Sequence, residues 1–331
     1  MMNLIKHENL VDLDDAASMG SIPETPGVYT FRDGEGGAIY VGKAKNLKRR
    51  VSGYLRRVNR YLEDRTRRMI HQARQLHIFE TETELLALLL EDQLIKEYRP
   101  EFNIRQKDIF KHRYLAFSSV DYPALEMLDE PRARDRPLFG PYRDKYAAGG
   151  ISDIVCKWFG IRPCPDPMPG QTCSYYDMQI CGGPCQSLIS PEDYSRSVRL
   201  ATAFLSGDET ILVDRMAASL EDHSRGLRYE QAAEIVRTME YCHRLAKRQR
   251  FFRSFAAGRL VLYEQGDRDG TYLFSKGWLV EYLARIIPSD DVHIVAGGEE
   301  DGDERLICDR SNIVYNWINR HQSEHYFLPI A

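Results

Sequence analysis

The first hundred residues change their hydrophobic period more than once. Gly27-Val28-Tyr29 and Ile39-Tyr40-Val41-Gly42-Lys43 lie about ten residues apart in β-prone sequence. Their aromatics alternate with small and β-branched neighbours, which predicts two paired strands with Tyr29 and Tyr40 over one sheet face. The run Asn46 to Leu55 then sets Leu47, Val51, Tyr54 and Leu55 on one helical stripe, with Arg50 near its border. A second helix, strongly apolar, is predicted over Glu84 to Tyr98 and stops at Pro100. Within it Leu88, Glu91 and Ile95 share a face, which turns Glu91 toward the interior and lets Asp92 look outward.

Beyond Asn103 the pattern predicts a strand pair, Tyr114 to Phe117 and Leu125 to Leu128, and a helix from about Ile151 to Phe159. Further helices are predicted over Pro191 to Leu205, Thr210 to His223, and Leu227 toward Arg250. At the C-terminal end, Arg259 to Gln265 and Thr271 to Phe274 suit a hairpin, with helices over Trp278 to Arg285 and Ser311 to His321. The acidic stretch Gly297 to Glu304 is expected to be disordered. The class is α+β: a small mixed or antiparallel sheet with helices over 21–105 and a Cys-rich metal-bound segment within 106–189. After these come an α-helical hairpin over 190–250 and a small α+β region over 251–331, with 1–20 an N-terminal extension. The longest apolar run, Leu85 to Leu90, is far too short to span a bilayer, so no membrane is expected.

Charge changes the picture locally. The whole chain is slightly acidic, with 49 Asp and Glu against 45 Lys and Arg. From Lys43 to Arg74, however, twelve Lys or Arg face two acids. That density fits a polyanion track, with Lys45, Lys48, Arg49, Arg56 and Arg57 as candidate DNA contacts. Between Glu264 and Glu304 the balance reverses to eleven acids and three basic residues, so that end should avoid DNA.

Hydrolysing a phosphodiester requires a base, cations for the transition-state charge and a neutralised leaving oxygen. Gly42 would let the backbone approach a phosphate, Lys43 would bring a point charge there, and Arg50 could brace it with its fork of donors. Glu91 on an apolar face is costly unless it pairs with an arginine or binds a metal, and the residues alone leave both open.

Pro26-Gly27-Val28-Tyr29, Ile39 to Leu47 and Glu91 to Asn103, in that order and separation, resemble the GIY-YIG endonucleases, and more narrowly the UvrC-type excinucleases, which include the shorter stand-alone homologue Cho. The resemblance implies that Glu91 is the one direct protein ligand of a catalytic Mg2+ or Mn2+ and that Tyr40 is the general base. It further implies that Tyr29, Lys43, Arg50 and Tyr54 orient or neutralise the phosphate, and that Asn103 fixes the local architecture. A free tyrosine has a pKa of about 10, so Tyr40 needs cations nearby to act near neutral pH. Damaged double-stranded DNA is the implied substrate, nicked on one strand in nucleotide excision repair. Full-length family members add an RNase H-type nuclease and helix-hairpin-helix repeats, for which 331 residues leave no room.

Cys164, Cys173, Cys181 and Cys185 are spaced C-x8-C-x7-C-x3-C in a stretch broken by prolines and glycines. Such a segment cannot build a core, and a metal would give it shape. Disulfides are disfavoured because no signal peptide precedes the domain and a cytoplasmic location is expected. Spacing leaves zinc and an iron-sulfur cluster both open, and the resemblance implies a four-iron four-sulfur cluster. Cys156, Cys242 and Cys308 are read as packing residues. Residues 190–250 are similar to the UVR hairpin, which implies a UvrB-like helicase as partner of a monomer. The alternatives are a non-catalytic DNA-binding adaptor and a structure-specific GIY-YIG nuclease outside repair.

Overall fold

A computed structural model describes residues 4–15, 18–56, 64–103, 112–130, 136–164, 173–265, 269–288 and 304–328. The chain divides into two compact units, Met1–Ile109 with Ser254–Ala331, and Phe110–Arg253.

The first unit begins with three strands, β1 (His7–Asp12), β2 (Gly27–Arg32) and β3 (Ala38–Ala44). Then come α1 (Leu47–Arg56), α2 (Asp64–Gln72), β4 (Gln75–Glu80) and α3 (Glu84–Tyr98). The strands form an antiparallel sheet in the order β1-β4-β2-β3. Both predicted strands and both predicted helices of this part are present. The first twenty residues, set apart as an extension in the sequence, supply β1. One face of the sheet packs Tyr29, Phe31 and Leu76 with Leu47 and Val51 of α1. The other packs Val28, Val41 and Phe79 with Ala87, Leu90, Leu94 and Ile95 of α3. Two helices on opposite faces thus approach the same edge strand.

β3 lies on the open edge, and its outward backbone groups are closed by the segment just after α3. Phe102 N donates to Ile39 O (2.9 Å). Asn103 accepts from Val41 N (2.9 Å) and donates through Nδ2 to Val41 O (2.8 Å), so one amide replaces a strand partner.

The second unit contains β5 (Arg113–Phe117), β6 (Leu125–Leu128) and β7 (Phe139–Tyr142), a sheet in the order β6-β5-β7. α4 (Lys145–Phe159) starts six residues before the predicted helix because the Asp144 side chain caps Tyr146 N and Ala147 N. The short α5 (Ser174–Asp177), then α6 (Pro191–Leu205), α7 (Thr210–Arg225) and α8 (Tyr229–Ala257) complete the run, the last continuing into the first unit's sequence.

Within the first unit β8 (Arg259–Glu264), β9 (Gly270–Ser275), β10 (Trp278–Leu283), α9 (Glu304–His321) and β11 (His325–Leu328) form a second antiparallel sheet, in the order β10-β9-β8-β11, with a helix. The expected helix over Trp278 to Arg285 is wrong: Trp278–Leu283 is a strand paired with β9. Lys276 (φ 47°) and Gly277 (φ 81°) make a two-residue turn with both residues left-handed, the geometry that folds a strand back on its neighbour. The acidic stretch lies outside the described residues except Glu304, which opens α9.

Asn103→Ala would leave the Val41 donor and acceptor unpaired at a position with no exposure. At about 1–3 kcal/mol per orphaned group, urea denaturation should show a loss of roughly 3 kcal/mol or more, with Asn103→Asp, which keeps only the acceptor, falling between.

Candidate active site

The register sets Tyr29 opposite Gly42 and Phe31 opposite Tyr40, so both phenols share the α1 face of the sheet. Their ring centroids are 6.1 Å apart, and Tyr54 from α1 lies 5.9 Å from Tyr29 and 6.4 Å from Tyr40. The Tyr29 hydroxyl donates to Tyr54 Oη (3.1 Å) and accepts from Arg50 Nε (3.3 Å). Arg50 also lies over the Tyr54 ring, 5.3 Å from its centroid.

Gly42 also has a packing task that its sequence context does not show. A Cβ there would stand 2.5 Å from Tyr29 Oη and 2.9 Å from Tyr40 Cε1. The missing side chain makes room for the two phenols.

Glu91 reaches the same strand from the opposite face. Its Oε1 accepts from Lys43 N (3.0 Å), the next outward backbone group after Val41. No salt bridge to an arginine forms among the described residues, so the arginine-paired alternative is absent. Burial pushes the carboxyl up to about 7, against the lowering effects of the Lys43 amide, the Lys43 charge and, more weakly, Arg50. Lys43, which holds Glu91, and Arg50, from the α1 side, line one groove at this edge. A desolvated carboxylate with one oxygen held by an amide and no cationic side chain bonded to it suits a divalent cation.

The phenols are less ready for proton transfer. Burial raises Tyr40 well above its ordinary value, the neighbouring Tyr54 raises it further, and Tyr29 and Arg50 only partly oppose this. Tyr29 is raised as well, first by its complete burial and then by Tyr40 and Tyr54. Without added positive charge, both hydroxyls keep their protons near neutral pH.

Lys43 carries a contact the sequence did not reveal. Its Nζ is 2.7 Å from Glu84 Oε1, and Lys45 Nζ is 2.7 Å from Glu84 Oε2. Glu84 opens α3 directly after its N-cap, Thr83, whose hydroxyl accepts from Leu86 N. That Glu84 folds back onto β3 depends on tertiary placement.

A groove of about 530 Å³ beside this edge is lined by Lys43, Lys45, Asn46, Arg49, Arg50 and Tyr54. Lys48 is spent on Glu24 (3.0 Å). Arg57 lies outside the described residues, as does the side chain of Arg56. Part of the basic track is structural: Arg65 packs over Phe102 (5.9 Å), and Arg74 donates to the His71 and Ala73 carbonyls. Asp92, expected to face outward, is buried. It pairs with Lys96 (2.7 Å), which also meets Asp309 of α9 (2.7 Å).

No disulfide joins any two of the seven cysteines. Burial raises Cys181, and Cys164, Cys173 and Cys185 each add to the rise, which puts the quartet in one neighbourhood. Gly183 N donates to Cys181 Sγ (3.4 Å). Among the described residues no three such side chains are grouped closely enough to hold one ion. Cys156, Cys242 and Cys308 are buried, as packing residues should be. At the turn between α7 and α8, Leu227 and Tyr229 are 70% and 66% exposed.

A phenol cluster on one face and a lone glutamate from the other, meeting on a Gly-Lys strand end, define a GIY-YIG nuclease domain. A family model described as the UvrC-like GIY-YIG domain matches residues 25–104, and one described as the UvrC/Cho excinuclease middle domain matches 112–204. The chain belongs to the UvrC-type GIY-YIG family. It is 34% identical over 242 residues to UvrABC system protein C of Dechloromonas aromatica, covering 72% of this chain and 40% of that protein. The counterpart from Salinispora tropica is 31% identical over 304 residues, 85% of this chain and 45% of that one. The chain therefore spans less than half the length of these relatives. A solved structure, the GIY-YIG N-terminal endonuclease domain of UvrC from Thermotoga maritima bound to its catalytic magnesium, is 36% identical and covers 27% of this chain and 93% of that one, with a TM-score of 0.24.

The raised Glu91 carboxyl has a measurable consequence. Its folded state holds the proton more tightly than the unfolded chain, so it costs stability as pH rises from about 4.5 through 7. In EDTA at pH 8, Glu91→Gln should be more stable to urea than the parent, by on the order of 2 kcal/mol after allowance for solvent screening. The difference should vanish near pH 4.5; a constant difference across pH would refute the burial argument.

Proposed function

We propose that this protein is a divalent-cation-dependent DNA endonuclease that makes a single nick beside damage in nucleotide excision repair, on the 3′ side of the lesion. The observation that carries the reading is Glu91: desolvated, bonded to one backbone amide and set at the strand edge beside the phenol and arginine cluster. When bound there, Mg2+ or Mn2+ would polarise the scissile phosphate and draw the Tyr40 phenol down toward neutral pH.

The remaining steps belong to side chains. Tyr40 takes the proton of the attacking water. Arg50, held by Tyr29 and stacked on Tyr54, presents its remaining donors to the phosphate. Lys43 and Lys45, anchored on Glu84, form a fixed cationic rim, and Arg49 extends it along the groove. None of these residues reads a base edge, so cutting depends on the backbone and the lesion rather than on sequence. Asn103 and Gly42 act indirectly, by holding the strand that carries Tyr40 and Lys43.

The product is a 3′-hydroxyl and a 5′-phosphate. The exposed Leu227 and Tyr229 give the α7–α8 turn an apolar tip suited to a UvrB-like helicase. On a lesion-containing duplex with Mg2+, nicks should map to one position on the damaged strand, and Glu91→Gln should slow nicking by about 10³-fold or more. Unchanged nicking in that variant would remove the metal ligand from the scheme.

The quartet Cys164, Cys173, Cys181 and Cys185 belongs to this proposal as a four-iron four-sulfur cluster site, with zinc as the other occupant its thiols could take. Anaerobic purification should yield about four irons and four labile sulfides per chain, one zinc instead in the second case. Neither metal at stoichiometric level would leave the cysteines a packing role.

A further inference from the structure

We infer that the C-terminal module, β8 to β11 with α9, holds α3 in place, and that Tyr272 and Asp309 are positioning residues for Glu91; the inference rests on the nuclease reading above. Both family models end before this module begins. Its acidic sequence argues against a DNA-binding role of its own.

A helix beside a sheet ordinarily buries one face and leaves the other to water. α3 does not. Ala87, Leu90, Leu94 and Ile95 pack on the sheet, yet Leu85, Leu86, Leu89 and Asp92 are buried as well, and α9 packs against this helix. The least covered line runs through Glu84, Leu88 and Glu91, the side on which the two glutamates meet β3.

Two polar contacts fasten the covered side, and they bracket Glu91. At the N-terminal end the fully buried Tyr272 hydroxyl lies 2.7 Å from Thr83 Oγ1, the N-cap of α3, and also hydrogen-bonds to the Glu264 carboxylate. The next residue is Glu84, the anchor of Lys43 and Lys45. One residue past Glu91, Asp92 shares Lys96 with Asp309 at 2.7 Å each, and the Lys96 side chain is only 8% exposed. A buried network of this kind is a poor source of stability compared with apolar packing, but it admits one register of α9 against α3. Hence both turns that face the site are set from behind by the module.

If the module positions Glu91, loosening it lowers the population of binding-competent sites, and apparent metal affinity falls by that fraction while saturating metal restores the rate. The test uses the full chain with the near-isosteric changes Tyr272→Phe and Asp309→Asn, and Glu281→Gln on the exposed face of β10 as control. In the metal-free protein, hydrogen exchange of the Leu86 to Asp92 amides should quicken by about tenfold, with β5–β7 unchanged. The Mn2+ concentration for half-maximal binding, and for half-maximal nicking, should rise about fivefold or more, with kcat at saturating Mn2+ within about twofold of the parent. Asp309→Glu, which keeps the charge, should recover much of the loss. Folded variants with unchanged exchange in α3 and unchanged Mn2+ binding would overturn the inference, as would a fall in thermal stability alone. A parent protein that neither nicks DNA nor binds Mn2+ through Glu91 would instead overturn the nuclease reading, and the exchange measurement would still decide whether the module holds α3.

Discussion

The outward backbone of β3 is the constraint around which this nuclease unit is arranged. An edge strand with unpaired amides and carbonyls is both a cost and an invitation to pair with another chain. Here the edge is closed by non-strand groups: Phe102 N on Ile39 O, the Asn103 amide on both groups of Val41, and Glu91 on Lys43 N. Asn103 and Glu91 both reach their places because α3 crosses the sheet and the chain returns along β3. Closing the edge and placing the carboxylate are therefore one structural act. The same strand carries Tyr40 on its other face, so a single element registers the phenol against the glutamate.

The site is held in an unfavourable state for its chemistry's sake. Burial lifts Glu91 to about 7 and raises Tyr29 and Tyr40 above their ordinary values, with Lys43 the main offset at the carboxyl and Arg50 the cation that partly offsets the phenols. An apolar residue in place of Glu91 would pack at lower cost. What the arrangement gains is a carboxylate with little solvent to displace and donors that need not reorganise when a charged substrate arrives. Such locally unfavourable groups persist where the surrounding scaffold is strong enough to hold them. α3, buried on the sheet side and also on the side facing α9, is such a scaffold.

The cationic surface divides into working and structural parts. Arg65 and Arg74 stabilise the fold, Lys48 is paired with Glu24, and Lys43 with Lys45 is tethered by Glu84. The net charge of the stretch overstates what a phosphate meets. Tethering has a compensating advantage, because a lysine already held near its working position loses less rotamer freedom on binding.

Local order was written in the chain. The strand pair, α1, the full span of α3 and the helices Pro191–Leu205 and Thr210–Arg225 arise from period, caps and breakers that act over a few residues, and Tyr29, Tyr40, Arg50 and Glu91 could be selected by residue type and spacing. What needed the fold were relations between distant segments. Asp92 is buried because α9, some two hundred residues later, covers it; Gly42 is small because Tyr29 crosses it from the neighbouring strand; and Glu84 grips two lysines about forty residues upstream. Trp278–Leu283 became a strand because the Lys276-Gly277 turn returns it to β9, an alternative that apolar content alone does not separate from a helix. Sequence determined which chemistries were available, since side-chain identity and short-range periodicity are local properties. Tertiary structure decided which charges are desolvated and which are paired, because burial and Coulomb energy depend on what comes near in space rather than along the chain.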